Sequence, residues 1–117
     1  MATTVNDILI ARNDAVSAVD AQLTTTGNLQ QPGDGGKMIP SIKRLQAKKT
    51  EIMTQACTDI LDHADLDAAL TAMQVATNSM NTVAKNMTTV TAVLNKINEF
   101  LGYGTGAVNA LKSINKP

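Results

Sequence analysis

The single histidine, His63, and the single cysteine, Cys57, are the side chains of this chain with the most chemistry in them. A thiolate nucleophile needs a base within hydrogen-bond reach. Six residues apart on one helix, the two point in different directions. No further group orients the imidazole, as a Ser–His–Asp set would require. Cys57 has no partner for a disulfide within the chain and flanks apolar positions, so it reads as a buried structural thiol. Asp59, Asp62, Asp65 and Asp67 place carboxylates around His63. Zinc sites take several His or Cys ligands at fixed spacing, and calcium loops need more oxygen ligands and a turn glycine. Neither pattern is met, so these read as solvated turn residues and no metal is expected.

Two local motifs also fail on inspection. The run PGDGGK carries a Gly–Lys pair at 36–37. A phosphate-binding loop needs glycine five residues before that glycine and Ser or Thr after the lysine. Gln31 and Met38 stand there instead, and a helix precedes the loop where a strand is required. Asn86-Met87-Thr88 matches a glycosylation acceptor but falls inside a helical pattern. No catalytic residue, no cofactor and no enzymatic activity is therefore expected.

Charge points to one further candidate. Lys37, Lys43, Arg44, Lys48 and Lys49 follow one another with no acid between them, and an acidic stretch from Glu51 to Asp67 comes next. The basic residues are a candidate contact for an acidic partner or a membrane surface. The competing reading is a solvated helix face that pairs with neighbouring elements. The formal net charge is +0 and aromatics are 2 % of the chain. With neither a basic excess nor stacking residues, nucleic-acid binding is not expected.

The elements that would position these residues are helical throughout. Val5, Leu9, Val16, Val19 and Leu23 fall on a 4–3 rhythm with Thr4 or Asn6 as N-cap, predicting a helix over about 5–25. A Gly- and Pro-rich loop fills 26–40. A second helix is predicted over about 41–63, started by Pro40 and Ser41 and carrying Ile42, Leu45, Met53, Ala56 and Ile60 on one face. The third segment has the strongest pattern. Leu66, Ala69, Met73, Ala76, Met80, Val83, Met87, Val90, Leu94, Ile97 and Leu101 keep 3–4 spacing without a miss. Asp65 is its expected N-cap. GYGTG at 102–106 is read as its stop, and a short helix follows over about 107–115.

A continuous helix over 66–101 would be roughly 54 Å long, far more than the radius of gyration of about 13 Å for a compact chain this size. The expected fold is thus all-α. It is an elongated antiparallel bundle in one domain, 1–117, with three main helices and a short C-terminal one. Part of the long seam would need cover from another element or another copy. Between Ala68 and Asn95 the only charged residue is Lys85. Uncharged flanks suit three or more packed helices, or a surface covered by a partner.

The function expected from this pattern is non-enzymatic. It is an interaction or assembly protein that packs against partner helices or its own copies, as a homo-oligomer. Leu66, Met73, Met80, Val83, Met87, Val90, Leu94, Ile97 and Leu101 would carry that packing. A leaderless secreted component is a second expectation: an export-apparatus or bacterial filament subunit, a helical pore-former or an effector. A small adaptor or immunity-type protein is a third. No stretch reaches the ~18 apolar residues of a membrane span, and no basic n-region opens the chain. A cytoplasmic location and export without a leader both fit.

Overall fold

The computed structural model describes residues 3–30, 36–55 and 59–115. Cys57 and the Pro32–Gly35 part of the loop lie outside them. Among the described residues the fold has four helices. The first, α1 (Val5–Asn28), is opened by a capping box. The Asp7 amide donates to Thr4 Oγ1 at 3.2 Å and the Thr4 amide donates to Asp7 Oδ2 at 2.9 Å. Two free amides of the first turn are satisfied in this way. The helix runs three residues past the expected end, through Gly27. Thr24 and Thr25 do not stop it, because their hydroxyls turn back onto the carbonyls of Asp20 and Ala21, each at 3.2 Å.

The buried face of α1 differs from the one its large residues suggest. Ile8, Ala11, Ala15, Ala18, Val19, Gln22 and Thr26 are buried, while Leu9, Val16 and Leu23 are half-buried and Val5 is exposed. The stripe is rotated towards the alanines, whose small side chains let neighbouring helices approach closely.

The second helix, α2 (Ile39–Met53), takes Pro40 in its first turn, where a missing N–H costs nothing. It ends well before the expected 62–63. The Thr54 hydroxyl and the Gln55 side-chain amide both fold back onto the Glu51 carbonyl at 3.2 Å, and Gln55's own carbonyl accepts from Arg12 Nη1 at 3.1 Å. Ile60 and Asn115 then form an isolated antiparallel bridge, with the Leu61 amide donating to the Ile114 carbonyl at 2.8 Å.

The heptad stretch is two helices, not one: α3 (Leu66–Ala84) and α4 (Val90–Lys112). Asp65 caps α3 as its sequence suggests, accepting from the Ala68 amide at 2.9 Å. The break over 85–89 follows from the residues there. Thr88, Thr89, Val90 and Thr91 are consecutive β-branched residues, which lose χ1 freedom in a helix. Thr89 adopts extended backbone (φ −126°, ψ 162°) and its hydroxyl accepts from the Ala92 amide at 3.1 Å, so it serves better as an N-cap than as a helix interior.

GYGTG does not stop a helix either; it lies inside α4, and the expected short helix over 107–115 is the end of that same helix. Of these glycines, Gly104 is the one that packing requires. An added Cβ there would lie 2.9 Å from Lys48 Cγ and 3.7 Å from Met80 Sδ. The missing side chain lets α4 pack between α2 and α3.

Cross-helix contacts fix the directions. Asp20 with Lys49, and Arg12 with Gln55, run α1 and α2 antiparallel. Gly104 beside Met80 and Gly106 beside Ala76 do the same for α3 and α4. Thr3 meets Asp67 and Gln22 meets Met87, so α1 lies parallel to α3. Arg44–Asn98 and Lys48–Thr105 set α2 parallel to α4. Two antiparallel hairpins are therefore stacked side by side, with α1 and α4 also meeting across the middle.

One apolar core draws on all four helices, including Ile8, Leu45, Ile52, Met73, Met80, Phe100 and Leu111. The molecule measures 53 × 23 × 18 Å, with a radius of gyration of 15.3 Å. It is elongated, as expected, but because four helices lie along one axis. No helix among the described residues is long and apolar enough to cross a membrane.

Candidate functional site

The heptad residues are used inside the monomer. Met73, Met80, Val83, Met87, Ile97 and Leu101 are buried by the chain's own helices, and Leu66 and Val90 are half-buried. Each fully buried Met side chain contributes about 1.5–3 kcal/mol. Because α4 folds back along α3, the two halves of the seam pack against each other and against α1 and α2. Leu94 departs from the pattern, being 47 % exposed.

Three of the five basic residues are turned to neighbours. Arg44 Nη2 donates to Asn98 Oδ1 at 2.7 Å. Lys48 Nζ sits 2.6 Å from Glu51 Oε1 and 2.9 Å from Thr105 Oγ1. Lys49 Nζ pairs with Asp20 Oδ1 at 2.8 Å. Such partly exposed pairs are worth only ~0.2–1 kcal/mol each, so they tune registration while the core holds the helices together. Lys37 and Lys43 are exposed.

The acidic residues near His63 serve the ends of helices. Asp65 caps α3. Asp67 accepts from both the hydroxyl and the amide of Thr3, the latter at 3.2 Å. The Thr3 hydroxyl foremost, and then its amide, hold the Asp67 carboxyl below the ordinary carboxylate range despite a small opposing effect of burial. His63 is exposed and shares a shallow cleft with Thr3, Asp65 and Asp67. Among the described residues no group of three His, Cys, Asp or Glu side chains is placed to hold a metal ion.

What remains is the outer side of the α3–α4 hairpin. Ala68, Thr71, Ala72, Val75, Asn78 and Thr82 face outward along α3, and none is charged. Val75 is 59 % exposed, more than the other large apolar residues at the surface among the described residues. Beside it a groove of about 360 Å³ runs between the helices, floored by Ser79 and Val83 and bordered by Lys96, Glu99 and Tyr103. The Tyr103 hydroxyl donates to Glu99 Oε1 at 3.3 Å, which ties down that edge. The α1–α2 side is unlike this. It carries Asp7, Arg12, Asp14 and Asp20, then Lys43, Arg44, Lys48, Lys49 and Glu51. On α3 and α4 only Asp67, Lys96, Glu99 and Lys112 are charged.

Sequence reasoning missed Val75. Its signal was a valine standing outside the heptad phase, on the face where every other residue is small or polar. Also missed was Gln22, which is 2 % exposed in the core. Its Nε2 donates to Thr26 Oγ1 at 3.0 Å and to the Met87 carbonyl at 3.1 Å, anchoring the turn between α3 and α4. No family model, curated protein or solved structure matches the chain.

Proposed function

We propose that this chain is a non-enzymatic helical interaction protein whose contact surface is the uncharged outer face of α3, beside the groove that Lys96 and Glu99 border. The reading rests above all on Val75, 59 % exposed at the centre of a charge-free helix face. Covering such a face strips water from small polar groups and a valine, which costs far less than desolvating charges. The partner is another helical surface, supplied by a second copy or by a different helical protein.

The strength of the contact follows from its size. A stable interface covers about 800 Å² on each partner, and one face of a five-turn helix offers less. Association is therefore weak and concentration-dependent. Sedimentation velocity over a wide concentration range tests this. The wild-type mass average should rise with concentration, and Val75→Lys should abolish the rise. Because Val75 is exposed, that variant should keep its stability within about 0.5 kcal/mol. A wild type that stays monomeric at every accessible concentration removes self-association. Equal association by Val75→Lys removes this face.

A further inference from the structure

We propose that two copies of this chain exchange α4, with residues 85–89 as the hinge, and that the exchanged form carries one unbroken helix from Leu66 to Lys112. This goes beyond the outer-face reading and does not depend on it.

The first support is phase. Met80, Val83, Met87 and Val90 keep helical 3–4 spacing across a turn in which the chain reverses direction. A hairpin turn has no need to preserve that spacing, since its two helices find the core independently. Straightened, Met80, Val83, Met87 and Val90 would join the buried stripe of α3 to that of α4, which continues through Ile97 and Leu101 flanked by Val93 and Phe100, with the exposed Leu94 its one gap. The left-handed supercoil that a 3–4 repeat imposes would turn both halves towards the cores of two bundles.

The second support is the composition of the hinge. Residues 85–89 contain neither glycine nor proline, and among the described residues no non-glycine has positive φ. Every hinge residue can therefore enter a right-handed helix. The turn already begins as one: the Asn86 amide donates to the Val83 carbonyl at 2.9 Å, and the Met87 amide to the Ala84 carbonyl at 3.0 Å. What opposes straightening is local, namely the Thr89 cap and the Gln22 bond to the Met87 carbonyl.

The third support is that exchange loses nothing elsewhere. Arg44–Asn98, Lys48–Thr105 and Leu61–Ile114 would each be remade with the α4 of the second copy. Monomer and exchanged dimer then bury the same core and differ only at the hinge, which is the condition under which swapping is accessible. Exchange requires α4 to leave its core, so the dimer is reached on refolding at high concentration, where mass action favours it, and not by concentrating the folded chain.

The test uses the full chain in a Cys57→Ser background, with spin labels attached through Gln74→Cys and Lys112→Cys, both exposed and off the outer face. Labelled chains are diluted into excess unlabelled chains, unfolded in urea and refolded at high concentration, and the dimer is isolated by size exclusion. In the hairpin both positions lie near the same end of the molecule, one or two helix spacings apart, roughly 10–20 Å. In a continuous helix, 38 residues separate them by roughly 57 Å. The exchanged dimer should show the long intrachain distance. Thr88→Ala with Thr89→Ala, which removes the cap and raises helix propensity, should increase the dimer several-fold.

Val90→Pro should abolish the dimer and leave a helical monomer by circular dichroism. Position 90 opens α4 after an extended Thr89, where proline is accepted, but it would interrupt a continuous helix. Three results overturn the proposal: no dimer even for the double alanine variant, a dimer that keeps the short distance, or a long-distance dimer that survives Val90→Pro. A short-distance dimer sensitive to Val75→Lys would instead mark association through the outer face.

Discussion

Gln22 is the polar residue on which the upper end of the bundle turns. A buried amide is tolerated only when its hydrogen bonds are made, and here both donors are used, one of them on the carbonyl that the helix break leaves free. Gln22→Leu should therefore cost about 1–3 kcal/mol, the penalty for leaving the Met87 carbonyl buried without a donor. The measurement is urea unfolding, with a lower midpoint and an unchanged slope expected. Ser17→Ala, on the exposed side of α1, is the control and should move the midpoint little. The residue types of α1 did not reveal this role. A glutamine among Val, Leu and Ala reads as solvent-facing, and only the position of the α3–α4 turn makes it internal. Caps were easier to see, because an N-cap is a local arrangement: Thr4 and Asp65 sit directly before the helices they cap.

At the scale of elements, the seam was legible and its continuity was not. Apolar spacing reports which face of a segment is buried, and Met73, Met80, Val83, Met87, Ile97 and Leu101 are indeed buried. It does not report whether the chain between two such faces is straight. The β-branched run over 88–91 carries that information, and apolar spacing alone does not contain it. The glycines of α4 erred in the opposite direction. They suggested a stop, yet a glycine in a helix can also mark a close approach, and Gly104 does so while Gly102 does not. This gives a paired expectation. Gly102→Ala meets nothing within 4 Å, so it should stabilise the protein by about 0.5–1 kcal/mol through helix propensity alone. Gly104→Ala gains the same propensity but drives its methyl against the Lys48 stem, and should end less stable than Gly102→Ala. Thermal unfolding of the two variants side by side decides it. Equal stabilisation would mean that α2 yields freely at Lys48.

For the whole molecule, the distribution of charge matters more than its sum. A net charge of zero hides a two-sided body, with the ionic residues concentrated on the α1–α2 side and few on the α3–α4 side. On the charged side, Arg44, Lys48 and Lys49 are each bonded to a residue of a neighbouring helix or of α2 itself, so their capacity to attract an outside anion is partly spent. Contact through the basic stretch and contact through the neutral face should consequently differ in their response to salt. Between about 0.1 M and about 1 M salt the Debye length falls from about 10 Å to about 3 Å, which suppresses attraction between exposed charges. Apolar and neutral polar contacts are largely indifferent to that screening. The association followed by sedimentation should therefore persist across this range, and should be lost on Val75→Lys at both ends of it. Association that disappears with salt and survives Val75→Lys would place the contact on Lys37, Lys43 and their neighbours. The working surface would then be the charged side of the bundle, opposite to the one its exposed valine marks.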